Sequence, residues 1–105
     1  MLDQAMRKTI IDRLTCIAQP EKIILFGSYC RGTQNKDSDI DLLIIQSTNE
    51  SPIKRSAAYR KALLDLGMSF DIIVRTPNEV KQWEGVKESF IHTVMSEGSV
   101  LYSRN

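Results

Sequence analysis

The sequence predicts an α/β (α+β) fold, a small mixed sheet of three to four strands flanked by helices, on three observations. Short apolar runs rich in β-branched residues at 23–26, 39–45 and 70–74 read as strands. Around them lie stretches in which apolar residues recur every three or four positions, the period of a helix that buries one face. Pro20, Gly27, Pro52, Gly67, Pro77, Gly85 and Gly98 fall at the joints between these stretches.

The elements follow in chain order. Ile10, Leu14 and Ile17, with Met6, Ile11 and Cys16 alongside, give residues 2–18 one apolar helix face, and Pro20 stops the helix. Residues 23–26 are apolar without a break, as in a strand buried on both faces, and Gly27-Ser28 breaks that strand into a loop or short helix. Residues 39–45 form the second strand. A polar loop leads to Pro52, suited to the first position of a helix over 52–66 capped by Ser51. Gly67 suits a left-handed terminator, and the third strand covers 70–74. Thr76-Pro77-Asn78-Glu79 has the spacing of a capping box with proline at the first helical position, so a short helix runs toward Trp83 and ends at Gly85. A last helix over 87–97 buries Phe90, Ile91, Val94 and Met95 and ends at Gly98, and 100–102 adds a short edge strand.

With 105 residues, 42% of them hydrophobic, the chain is expected to fold as a single domain, 1–105. Lys and Arg number 14 against 13 Asp and Glu. No strong field draws in a nucleic-acid backbone or an anionic membrane, so neither is expected as a partner. Cys16 and Cys30 are too far apart for a CxxC pair and read as free thiols of a reducing compartment. Residues 1–14 mix charges among their apolar residues and resemble neither a signal peptide nor a membrane span, so a cytoplasmic protein is expected.

Asp39-Ile40-Asp41 alternates, so on a strand both carboxylates point to one side, roughly 6–7 Å apart between Cα atoms. A lone acid in a strand is most simply a polar outer face. Here Asp is disfavoured in strands, Leu43 and Ile45 on the same side are apolar, and Asp71 can bring a third carboxylate. Close carboxylates repel unless a cation offsets them, and magnesium, a hard ion that takes oxygen ligands and substrate phosphates, suits the set. Upstream, Gly27 lets a backbone N–H approach an anion, Ser28 adds a hydroxyl donor, and Arg31, followed by Gly32, offers a bidentate grip on a terminal oxygen. Gly-Ser alone is an ordinary turn, but no GK[ST] or GxGxxG motif is present to make a commoner nucleotide site.

The run GSYCRGTQNKDSDIDLLI, residues 27–44, resembles the signature of the DNA polymerase β nucleotidyltransferase superfamily: GS, ten residues, then DxD. Arg31, Gly32 and Ser38 are also similar to its small members. The stretches FDIIVRTPNEV and SFIHTVMSEGSVLY resemble the minimal nucleotidyltransferase (MNT) group and favour Asp71 over Asp65 as the third acid.

The resemblance implies a nucleotidyltransferase fold. It implies catalysis and metal binding at Asp39, Asp41 and Asp71, and nucleotide binding at Gly27, Ser28, Arg31, Gly32 and Ser38, with two Mg2+ ions and ATP as substrate. It further implies an antitoxin that transfers AMP to a tyrosine of a HEPN-domain toxin, in a homo- or hetero-oligomer. The competing readings are an antitoxin that acts by occlusion alone and a transferase for a small-molecule acceptor. Other residues have plainer readings. His92 suits a surface or boundary position, and Lys54, Arg55, Arg60 and Lys61 a solvated helix face. Tyr29 and Cys30 are spacers, and Trp83 is either a core filler or a partner anchor.

Overall fold

A computed structural model describes residues 2–104, so the two ends of the expected 1–105 unit lie outside the described residues. Helix α1, Gln4–Ile17, starts at Asp3, whose carboxylate accepts a hydrogen bond from the Met6 N–H at 2.7 Å. Ile10 and Leu14 are fully buried, as their spacing predicts. Ile17 and Cys16 are not: both are exposed, because the helix ends at Ile17 and the chain leaves extended at Ala18, so the last turn projects past the covered stretch.

Strand β1, Lys22–Phe26, runs through the sheet interior, antiparallel to β2, Ile40–Ile45, on one side and to β4, Ser99–Ser103, on the other. Strand β3, Phe70–Arg75, lies parallel to β2, which gives the order β3-β2-β1-β4. The sheet is mixed and four-stranded, within the expected range. One face packs Ile23, Leu25, Leu42, Ile44, Ile72 and Val74 against α1 and the fourth helix; the other packs Ile24, Leu43 and Ile45 against the last two helices. Burial on both faces explains why these strands read as unbroken apolar runs.

A single helix over 52–66 is not what forms. The segment divides into α3, Pro52–Arg55, a buried break at Ser56, α4, Ala57–Leu63, and a 3-10 turn, Leu64–Leu66. Arg55 turns inward and meets Glu79 at 2.7 Å, which holds α3 toward the far face, while α4 swings Tyr59 and Leu63 onto the α1 face. One straight helix cannot do both. Pro52 takes the first position as predicted, but the Ser51 side chain caps nothing. Gly67 ends the segment in the left-handed conformation, at φ 72.

The capping box forms as predicted at α5, Pro77–Trp83: Glu79 N–H donates to the Thr76 hydroxyl at 3.2 Å and Thr76 N–H to the Glu79 carboxylate at 2.8 Å. The helix closes at Glu84, one residue before Gly85. Helix α6 is Phe90–Glu97, shorter than 87–97, because Ser89 captures the His92 N–H and starts the helix there. Ile91 and Val94 are buried and Met95 is partly covered, but Phe90, in the first turn, stays 45% exposed with its ring edge on Phe26, centroids 5.4 Å apart. Gly98 ends α6 for reasons of space, not of left-handed backbone: its φ is −73, and a side chain would come within 2.6 Å of the Val94 carbonyl oxygen. Among the described residues no helix is long and apolar enough to cross a membrane.

Candidate active site

The antiparallel pairing of β1 and β2 sets Phe26 opposite Asp41, so the end of β1 and the beginning of β2 meet at one edge of the sheet. Gly27 follows at that edge with φ 75 and ψ −154, a conformation close to glycine's alone. A Cβ there would collide with the Asp41 carboxylate. Asp41 therefore lies directly against the backbone of the bend, and both conformation and space require glycine at position 27.

Ser28 opens a single helical turn, α2, Ser28–Arg31, in which the N–H groups of Cys30 and Arg31 both donate to the Gly27 carbonyl at 3.1 Å. Gly32 closes it in the left-handed conformation, φ 76, its N–H donating to the Ser28 carbonyl. Gly32 thus shapes the bend through its backbone. Tyr29 and Cys30, expected as spacers, pack partly buried against the core, and the Cys30 thiol reaches the Glu97 carbonyl at 3.4 Å. Ser38 sits in the connection to β2, where its hydroxyl accepts the Asn35 N–H at 3.0 Å and closes a tight turn beside Tyr29 and Ser69.

The parallel register sets Asp41 beside Asp71, and Asp39 stands just before β2. Residues paired in register send their side chains to the same face, here the one packed by α5 and α6. Asp39 and Asp71 are exposed and Asp41 is half-buried. Burial, then the charges of Asp71 and Asp39, push the Asp41 carboxyl above its usual range, and the Arg31 guanidinium draws it partly back. The charges of Asp71, Asp39 and Arg31 thus all reach Asp41. Asp65 lies elsewhere, paired with Arg13 at 2.5 Å.

As they stand, the described residues form no ready-made cage of three or more His, Cys, Asp or Glu side chains around a cation. The donors at this edge are hard carboxylate oxygens that repel one another, which fits magnesium, an ion usually held by one or two carboxylates with substrate phosphates completing its shell.

Sequence reasoning missed one arginine. Arg55 is no solvated surface residue: its side chain is 8% exposed and bonded to Glu79. Arg60 is exposed, as expected of a solvated helix face, and lines an open cleft with Asp39, Leu64 and Phe70. A basic stretch carries no local signal for the inward turn of Arg55, which depends on where Ser56 breaks the helix. His92 holds the Glu84 carbonyl at 2.6 Å through Nδ1, in keeping with a boundary position. Trp83 is 47% exposed, so it does not fill the core.

Comparison with known proteins extends this geometry. The family described as Polymerase beta, Nucleotidyltransferase matches residues 8–105. A Methanocaldococcus jannaschii protein named as a protein adenylyltransferase, MJ0604, is 38% identical over 85 residues, 78% of each chain. Among solved structures, a toxin-antitoxin with AMP-PNP superposes with a TM-score of 0.69 at 25% identity, covering 94% of this chain and 74% of that one. A Shewanella oneidensis complex of a tri-AMPylated HEPN toxin with an MNT antitoxin shares the fold, with a TM-score of 0.62 at 20% identity over 97% of this chain and 73% of that one.

Proposed function

We infer that this chain, which belongs to the Polymerase beta nucleotidyltransferase family, transfers AMP from ATP to a tyrosine hydroxyl of a HEPN-domain toxin and acts as that toxin's antitoxin. The observation that carries the reading is the register of Asp41 with Asp71 beside the Gly27 bend. The name of the M. jannaschii relative supports a protein acceptor, and the AMP-PNP and tri-AMPylated toxin complexes support an adenylyl donor and a HEPN partner.

Asp39, Asp41 and Asp71 would hold two magnesium ions, which when bound neutralise phosphate charge and lower the pKa of the attacking hydroxyl. The Gly27 bend, whose missing Cβ leaves room for the Asp41 carboxylate, offers backbone N–H groups to the triphosphate, and Ser28 adds a donor. Arg31 grips a terminal oxygen, while Gly32 and Ser38 keep the bend and its connection in shape. The acceptor oxygen attacks the α-phosphorus. A new O–P bond forms as the bond to the bridging oxygen breaks, pyrophosphate leaves with the electron pair, and the hydroxyl proton passes to Asp71 or to water.

The test is to incubate the chain with α-labelled ATP, magnesium and a HEPN-domain protein from the same organism. The HEPN protein should carry label on tyrosine, and Asp39→Asn should reduce labelling about 10²-fold or more. An unlabelled toxin would overturn the reading. Full protection of cells by a chain carrying both Asp39→Asn and Asp41→Asn would favour neutralisation by occlusion.

A further inference from the structure

Asp41 pairs with Asp71 across to β3 and with Phe26 across to β1, so Phe26 stands beside the carboxylates on the sheet face that α6 covers. Helix α6 does not close over Phe26 completely. A cavity of about 260 Å³ remains between the bend and α6, with Phe26, Phe90 and Val94 as apolar walls. Gly27 and Arg31 of the bend line the same cavity, so whatever fills it touches the segment assigned to the phosphates.

Size and walls limit the occupant. The volume is below that usual for a drug-sized ligand, so the cavity suits one ring system and not a complete nucleotide. The Phe26 and Phe90 rings meet at 78°, and two rings at right angles make a corner in which a flat heterocycle can lie on one and against the other. Bases stack on aromatic side chains whatever their identity, so identity has to be read by polar groups. On the α6 wall these are Thr93 and Glu97. The Thr93 hydroxyl donates to the Ser89 carbonyl at 3.3 Å, which leaves it an acceptor, and Glu97 forms no ion pair among the described residues. Two acceptors match the amino group of a base and oppose a carbonyl oxygen in its place.

We propose that this cavity is the nucleobase site: the base of the nucleoside triphosphate lies against Phe26 and Phe90, and Thr93 and Glu97 accept from its exocyclic amino group. The proposal rests on the nucleotidyl-transfer reading above and adds where the base goes and what selects it. Adenine offers such an amino group and uracil offers none, so the site favours ATP over UTP.

Phe90→Ala, Glu97→Gln and, outside the cavity, Trp83→Ala test it, all at exposed positions. Binding of ATP, UTP and inorganic triphosphate, each with magnesium, is measured for every variant. The wild type should bind ATP about 10-fold or more tighter than UTP. Phe90→Ala should weaken ATP about 10-fold, the scale of one lost base–aromatic contact, and leave inorganic triphosphate within about twofold. Glu97→Gln, which adds a donor, should narrow the preference for ATP over UTP about 5-fold with triphosphate again unchanged. Trp83→Ala should match the wild type throughout. Unchanged ATP affinity in Phe90→Ala overturns the proposal and leaves the transferase reading standing. Equal weakening of ATP and triphosphate would mean that the cavity holds the phosphate tail, and overturns it as well. So does equal binding of ATP and UTP by the wild type, or the same loss from Trp83→Ala. A wild type that binds no nucleotide with magnesium defeats the underlying reading and the proposal together.

Discussion

Asp41 carries the sharpest tension at the residue scale, since it is half-buried, set against Gly27, and flanked by Asp39 and Asp71. Its carboxyl is pushed above the usual range by burial and then by its acidic neighbours. A raised carboxyl favours the folded state fully below its unfolded pKa, and that contribution is lost as pH rises through the folded value. At neutral pH the ionised group therefore burdens the fold. Asp41→Asn should melt at or above the wild type at pH 7, lose that advantage in acid where the wild-type carboxyl is protonated, and transfer AMP about 10²-fold more slowly or worse. Melting curves from pH 3 to 7, alongside the transfer assay, check both halves. Much of this was legible in sequence: the DxD alternation and its spacing from Gly27-Ser28 mark Asp39 and Asp41 as a pair. Asp71 was legible as a candidate third acid from its place at the start of an apolar run, and likeness to a family favoured it over Asp65, but its register with Asp41 depends on β3 lying parallel to β2, a long-range pairing that no local pattern encodes. The inward turn of Arg55 left no trace, since a cation on a helix looks the same whether it faces water or a buried partner.

At the scale of elements, local rules worked where local chemistry decides. The capping box at Thr76 and Glu79, the proline starts at Pro52 and Pro77, and the left-handed Gly67 all stand where turn and cap chemistry puts them. They failed where packing overrides propensity: the apolar period across 52–66 gives no sign that Arg55 will be drawn inward to Glu79 and break the helix at Ser56. Glu79 closes the capping box and neutralises Arg55, so it ties α3 to α5. Burial pushes its carboxyl up, but the Thr76 N–H, then Arg55 through hydrogen bond and charge, and the charge of Arg75 outweigh burial and hold it below its usual range. A depressed carboxyl contributes stability above its unfolded pKa and loses it as pH falls through the folded value. Glu79→Ala should cost about 3 kcal/mol at neutral pH, as expected for stranding a buried cation. The gap from the wild type should narrow below the ordinary glutamate range, as urea unfolding at pH 7 and pH 3 will measure.

For the whole molecule, three packed strands bring residues from positions 27, 39–41 and 71 to one sheet edge, and the helices on both faces leave that edge open. The fold class and strand positions could be read from the apolar runs, because strands covered on both sides announce themselves as unbroken stretches. The cavity between α2 and α6 could not, because it is made by three segments meeting. The central claim is that this edge binds ATP through a divalent cation held by the carboxylates, and equilibrium binding of labelled ATP with and without magnesium tests it most directly. Magnesium should tighten ATP binding to the wild type about 10-fold or more and leave the doubly substituted Asp39→Asn, Asp41→Asn chain unaffected. Equal enhancement in both proteins, or none in the wild type, would contradict it.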